Sequence, residues 1–266
     1  MDSLLVLFLL SCGNKNPTNT VVPTSEVITS PSETKGVLSV ETLGQININT
    51  EFEGFEVPTL MRLRRLTIDG GGTVAVHEHN NRPGIAFILS GEITEHRNGV
   101  DRLCRTGEIA FEQSGVTHGW ENRSSTETVA VVVDILQPDP FPELDTYGAI
   151  MDFEGAPSES KALSVKGLGY VDLSTEFAPL NGLSLRARQI EVAPSGVVGF
   201  HQHLSRPSFA YLLEGEMVEH RDDREEPIIH QVGSVVTEQN GLGHWWENET
   251  EESALFLVVD IVKQMD

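Results

Sequence analysis

Along most of the chain, hydrophobic and polar positions alternate in short runs closed by glycine or proline. Thr73–Val76 alternates directly before His77, and valine-rich endings recur as VVVDI from Val131 and LVVDI from Leu257. Successive side chains of a strand point to opposite faces, so runs of this length and pattern predict β-strands spaced as in a sandwich or barrel. No segment keeps a helical period for more than about ten residues. Short helical turns are expected in the proline-rich stretch 137–160.

The pattern occurs twice. Arg62–Arg97 repeats as Arg186–Arg221 at a constant offset of 124, with Arg62, Arg64, Gly72, His77, His79, Arg82, Pro83, Glu95, His96 and Arg97 all recurring. After a two-residue insertion the match resumes: GEIAFEQSGVTHGWEN from Gly107 answers GSVVTEQNGLGHWWEN from Gly233. Self-similarity of this kind marks two copies of one structural unit. The expected organisation is a processing signal at 1–12, a tether at 13–36, one β unit at 37–136, a linker at 137–160 and a second unit at 161–266.

Composition narrows the partners. The chain has 266 residues, 39% of them hydrophobic, enough for real cores, and a net charge of −22 from 40 acidic and 18 basic residues. A polyanion such as nucleic acid would be repelled, and no basic cluster offsets the field. The two cysteines, Cys12 and Cys104, make no disulfide framework, and Cys104 is expected to be a buried thiol without a redox partner. No apolar run reaches the roughly 20 residues of a spanning helix.

The first residues are informative in another way. The apolar run Leu4–Leu10 followed by Ser11-Cys12-Gly13 resembles a bacterial lipoprotein signal, in which the cysteine is acylated and becomes the mature N-terminus. The resemblance implies lipidation at Cys12 and a lipid anchor in a bacterial envelope membrane, facing the periplasm or the exterior. Gly13 is similar to the pattern of outer-membrane lipoproteins. Residues 13–36 have tether composition, rich in Asn, Thr, Ser, Pro and Glu.

The candidate chemistry lies in histidines. His77 and His79 are two apart on an expected strand and share a face, and His118 follows 39 residues after His79. The second unit supplies His201, His203 and His244 in the same arrangement. Three imidazoles suit one divalent transition metal per unit: Fe, Mn, Ni, Zn or Cu.

These residues resemble the cupin superfamily. The first cupin motif, G(X)5HXH(X)3-4E(X)6G, matches from Gly71 through His77 and His79 to Gly91. The second, G(X)5PXG(X)2H(X)3N, matches from Gly107 to Asn122 and again from Gly233 to Asn248. The resemblance implies an all-β fold of two tandem double-stranded β-helix (jelly-roll) barrels with a metal inside each. It departs at the motif's acidic ligand, which falls on Gly84 and Ser208, and at its proline, which falls on Gln113 and Gln239. The site is therefore three-histidine, or a fourth ligand or base comes from elsewhere, the candidates being Glu112 or Gln113, Glu238 or Gln239, or Glu95 with Glu219. Strand alternation allows only one member of each Glu-Gln pair inward. Glu95 reads first as a surface carboxylate. His96 and His220 are expected at solvent or the hairpin end.

Arg82 and Arg206 are candidates for holding a substrate carboxylate, with salt bridging to the acidic surface as their plain alternative. Trp120, Trp245 and Trp246 suit core or barrel-rim packing, and Trp120 and Trp246 could also wall a ligand. The expected function is a metal-dependent oxidoreductase, dioxygenase-like, acting on a small organic molecule. The alternatives are a cupin isomerase or lyase, or a non-catalytic lipoprotein that binds a small molecule or metal. A homodimer fits either.

Overall fold

The computed structural model describes residues 30–145 and 147–264; Cys12 and the expected lipoprotein signal lie outside them. Two eight-stranded jelly-roll barrels follow one another. The first is built from β1 (Lys35–Asn47), β2 (Leu60–Glu78), β3 (Gly84–Ser90), β4 (Glu92–Arg97), β5 (Val100–Arg105), β6 (Ile109–Glu112), β7 (Thr117–Glu121) and β8 (Thr128–Leu136). The second repeats it with β9 (Lys161–Asp172), β10 (Leu183–Gln202), β11 (Ser208–Glu214), β12 (Glu216–Arg221), β13 (Ile228–Gln231), β14 (Val235–Glu238), β15 (Gly243–Glu247) and β16 (Ala254–Lys263). The strand order β5-β4-β7-β2-β8-β3-β6 recurs as β13-β12-β15-β10-β16-β11-β14, with β1 on β2 and β9 on β10. Every pairing is antiparallel.

The valine-rich endings are near-continuous in hydrophobicity because both faces of β8 and β16 are covered. On β8, Val131, Val133 and Ile135 join a core cluster shared with Leu257, Val259 and Ile261 of β16, so the largest core is the seam between the barrels. Ala130 and Val132 face the first barrel's interior with Leu66, Ala86 and Trp120. Phe256 and Val258 do the same in the second. Asp134 continues the inward face of β8 and Asp260 that of β16, and both are buried.

The seam is pseudo-symmetric. Glu51 accepts a hydrogen bond from the Asn240 N–H at 2.8 Å, while Glu176 accepts from the Ser114 N–H and the Ser114 hydroxyl, both at 2.6 Å. Each barrel thus supplies a carboxylate that braces a loop of the other. Gly44 has no room for a side chain, since a Cβ would lie 2.7 Å from the Phe209 ring across the seam.

The only helical turns among the described residues are two 3-10 turns, Ile48–Thr50 and Ala178–Leu180. They follow β1 and β9 rather than lying in 137–160, which corrects the expectation. At the first turn the Asn47 side chain accepts the Asn49 N–H, and at the second Pro179 presets the turn. The described residues of 137–160 form no helix or strand, yet part of the stretch is docked. Ile150 and Met151 donate their N–H groups to the Asp222 carbonyl, and Phe153 packs on Phe200 with ring centroids 5.8 Å apart.

Candidate metal centres

Two bulges put the histidines in place. β2 pairs with β7 at Val74↔Trp120 and next at His77↔His118, with a register shift between; β10 and β15 do the same between Val198 and His201. A bulge inserts extra residues on one strand and re-aims the side chains that follow. His77 therefore turns to the same inner face as His118, and His79 follows two residues later.

In the first barrel the Nε2 atom of His79 lies 3.0 Å from that of His77 and 2.9 Å from that of His118. In the second, His244 Nε2 lies 3.1 Å from His203 Nε2 and 3.2 Å from His201 Nε2. Each ring donates from its other nitrogen. The Nδ1–H groups of His77, His79 and His118 go to the Ala75 carbonyl (2.9 Å), the Arg82 carbonyl (3.0 Å) and Glu95 Oε1 (2.8 Å). Those of His201, His203 and His244 go to the Gly199 carbonyl, the Arg206 carbonyl and Glu219 Oε1. With Nδ1 protonated, three Nε2 lone pairs converge in each barrel with no proton between them, a repulsive arrangement that a cation relieves. Donors sharing one ion through bonds near 2.0–2.1 Å stand about 2.9 to 3.4 Å apart, and the observed spacings fit.

Burial favours the neutral imidazoles that a metal requires. It lowers His79 and His201 to about 4 and pushes His77 and His203 down as well.

Of each Glu-Gln pair, the glutamate points inward. Glu112 Oε1 is 3.7 Å from His118 Nε2 and Oε2 is 3.6 Å from His79 Nδ1; Glu238 stands 3.7 Å from His244 Nε2 and 3.6 Å from His203 Nε2. Gln113 is exposed, and Gln239 turns outward to donate to the Asp145 carbonyl at 3.4 Å. Burial raises Glu112 to about 7. Burial acts on Glu238 in the same direction, but His203, His244 and the Ser208 hydroxyl outweigh it, and its carboxyl is held low.

Glu95 and Glu219 correct the reading of a surface carboxylate: both are fully buried, behind the third histidine rather than beside the convergence point. Their strand neighbours differ. Glu95 takes two hydrogen bonds from Arg97, whereas Glu219 accepts one from His230, the counterpart of Cys104. Cys104 is a buried free thiol. His96 is also buried, wedged 2.6 Å from Asp101 and 3.1 Å from Glu121, rather than reaching solvent; His220 stacks on Trp245 at 3.8 Å. The Asp101 and Glu121 carboxylates sit over the two ring nitrogens of His96 and cover it from solvent.

Arg82 belongs to the first pocket, but its anchor is not the acidic surface. It pairs at 2.8 Å with the fully buried Asp134, which also holds Arg62 and Arg64 at 2.9 Å each. Burial would raise Asp134, yet the three guanidinium groups outweigh it and keep the carboxyl ionised. Arg206 lines the second pocket, where Asp260 holds only Arg186 and Arg188. Trp120 and Trp246 each line a pocket and pack edge-on against the third histidine, 6.0 and 5.6 Å away. Arg64 and Arg188 line the pockets as well, a role the sequence reading did not assign them. Their recurrence two residues before an inward leucine or isoleucine was the available signal.

A model of the cupin domain matches residues 64–134 and 188–260, together more than half of the chain. The oxalate-binding protein of Thermotoga maritima is 35% identical over 72 residues, 27% of this chain, and the chain spans 60% of that protein's length. Among solved structures, salicylate 1,2-dioxygenase from Pseudaminobacter salicylatoxidans superposes with a TM-score of 0.54 at 11% identity, over 75% of this chain and 70% of that one. AerE from Microcystis aeruginosa does so with a TM-score of 0.51 at 12% identity, over 80% of this chain and all of its own. At these identities the two structures establish the fold. Matched by the domain model in both halves and folded twice as the same barrel, the chain belongs to the cupin family.

Proposed function

We propose that the first barrel is a metal-dependent site for a small organic carboxylate, working as an oxidoreductase of the dioxygenase type. The observation that carries this is one pocket of about 380 Å³ whose lining includes His77, His79, His118 and Glu112 together with Arg64 and Arg82. A divalent transition metal held by the three histidines supplies Lewis acidity and open coordination positions. The chain's own groups supply the rest. Arg62, Arg64 and Arg82 outnumber Asp134 and the Glu112 carboxylate by three to two and leave net positive charge facing a carboxylate, in a molecule otherwise strongly acidic. Leu66, Val74, Trp120 and Val132 make an apolar wall beside these polar groups. Glu112, buried and raised to about 7, is suited to take a proton from substrate near neutral pH.

Metal analysis of protein purified without added metal, followed by oxygen uptake with a panel of small carboxylates, tests this. The expected result is metal near two per chain and uptake that His118→Ala abolishes. A second reading, carboxylate binding without turnover, is favoured by the name of the Thermotoga relative. Calorimetry showing metal-dependent oxalate binding with no oxygen uptake and no product would establish it instead. We further infer that Cys12 carries a lipid anchor to a bacterial envelope membrane; Cys12→Ser should move the protein from the membrane to the soluble fraction.

A further inference from the structure

The two barrels carry the same polar constellation around very different spaces. Arg64, Val74, His77, His79, Arg82, Glu112, Trp120 and Val132 line the first pocket, and Arg188, Val198, His201, His203, Arg206, Glu238, Trp246 and Val258 repeat them in the second. Yet the first cavity measures about 380 Å³ and the second about 50 Å³. A water needs about 10–15 Å³ on this measure, so the second admits only a few water-sized ligands.

Part of the first cavity is lined by Thr34, Val37, Val40, Ala75 and Val76, which have no counterparts around the second; elsewhere the backbones match. β8 on β2 and β16 on β10 run in equivalent registers, Ala130↔Leu66 answering Phe256↔Ile190. Position 130 precedes Val132 and Asp134 on the inward face of β8, and Phe256 precedes Val258 and Asp260 on that of β16. Where the first barrel has a methyl group the second has a phenyl ring, and Phe256 lines the second pocket. The ring is held in place edge-on to Trp246 at 5.3 Å, and Trp246 is itself packed against His244 and His230. A buried ring packed on Trp246 within this core cluster does not swing aside as a lone exposed side chain does.

We propose that the barrels accept ligands of different size and that position 130 and its counterpart 256 set the limit: the first takes a multi-carbon carboxylate, the second only water, dioxygen or a one-carbon acid. This rests on the reading of the first pocket as a carboxylate site. The two metal centres therefore have unequal duties despite equal ligands, and exchanging one side chain exchanges the size limit.

Full-length protein loaded with manganese to two metals per chain is titrated calorimetrically with malonate and with formate. The wild type should bind one malonate and two formates per chain. Phe256→Ala should bind two malonates, and Ala130→Phe none while still binding two formates. Metal content of two per chain shows that each variant is folded. Should Ala130→Phe lose metal, Ala130→Leu replaces it and should weaken malonate at least tenfold. Two equivalent malonate sites in the wild type, an unchanged single site in Phe256→Ala, or undiminished malonate binding in Ala130→Phe at full metal content would overturn the size limit and leave the functional reading standing. No malonate bound by any variant would overturn both.

Discussion

Glu112 stands directly across the β3–β6 ladder from Gly84, the position where the cupin motif places its acidic ligand. A Cβ at residue 84 would lie 2.8 Å from Glu112 Oε2, so a side chain there would make the carboxylate shift. In the second barrel Glu238 faces Ser208, and the serine hydroxyl donates to Glu238 Oε2. The acid has moved one strand over, while its carboxylate still reaches the histidine cluster. Glu112→Gln should lower metal affinity at the first site by about 10- to 100-fold and leave the second unchanged, as read by metal titration. Combining Gly84→Glu with Glu112→Gly should restore much of that loss. A double variant no better than Glu112→Gly alone would mean that the two positions are not interchangeable.

At the scale of the strand, the bulge between Val74 and His77 matters most. Side chains alternate with a period of two, so the residues inserted there decide which face every later position of β2 occupies. Deleting Ala75 should turn His77 out of the first barrel. The deletion variant should bind about one metal per chain instead of two, retained at His201, His203 and His244, and circular dichroism should report intact β structure. Two metals per chain in that variant would show that β2 can restore its phase elsewhere. The third histidine is less exposed to such slips, because Glu95 and Glu219 hold His118 and His244 by buried hydrogen bonds of 2.8 and 2.7 Å.

Across the whole molecule, the seam ties each metal centre to the other barrel. The loop braced by Glu176 joins β6, which carries Glu112, to β7, which carries His118; Glu51 braces the equivalent loop of the second barrel. The two contacts are not equal. Glu176 is satisfied by two donors, whereas Glu51 accepts one N–H and has its Oε2 buried without a partner. Burial raises Glu51 from 4.5 to about 7. Between those values the folded protein holds a proton that the unfolded chain has released, so stability falls as pH rises through the window and the penalty is complete above it. Urea unfolding of wild type and Glu51→Gln should differ little at pH 4.5, with the variant more stable at pH 8 by on the order of 1–3 kcal/mol. Equal stability at pH 8 would show that Glu51 is not held protonated by the seam.

The sequence by itself determined the architecture and the histidines. Alternation predicted strands, the 124-residue repeat predicted two copies, and HXH followed by a distant histidine placed three ligands on one face, because strand periodicity is local and survives in any tertiary setting. It narrowed the extra carboxylate to a few candidates but left Glu112 and Gln113 open, since the phase of a four-residue strand is set by its neighbours. Only the folded barrel decided that glutamate faces in. It also decided that Glu95 sits behind a histidine, that Arg64 belongs to the first pocket, and that Phe256 lines the smaller of two unlike cavities. Each of these depends on which strand lies opposite, and residues far apart in sequence such as Gly84 and Glu112, or Glu51 and Asn240, meet only when non-local pairing and the seam between barrels bring them together.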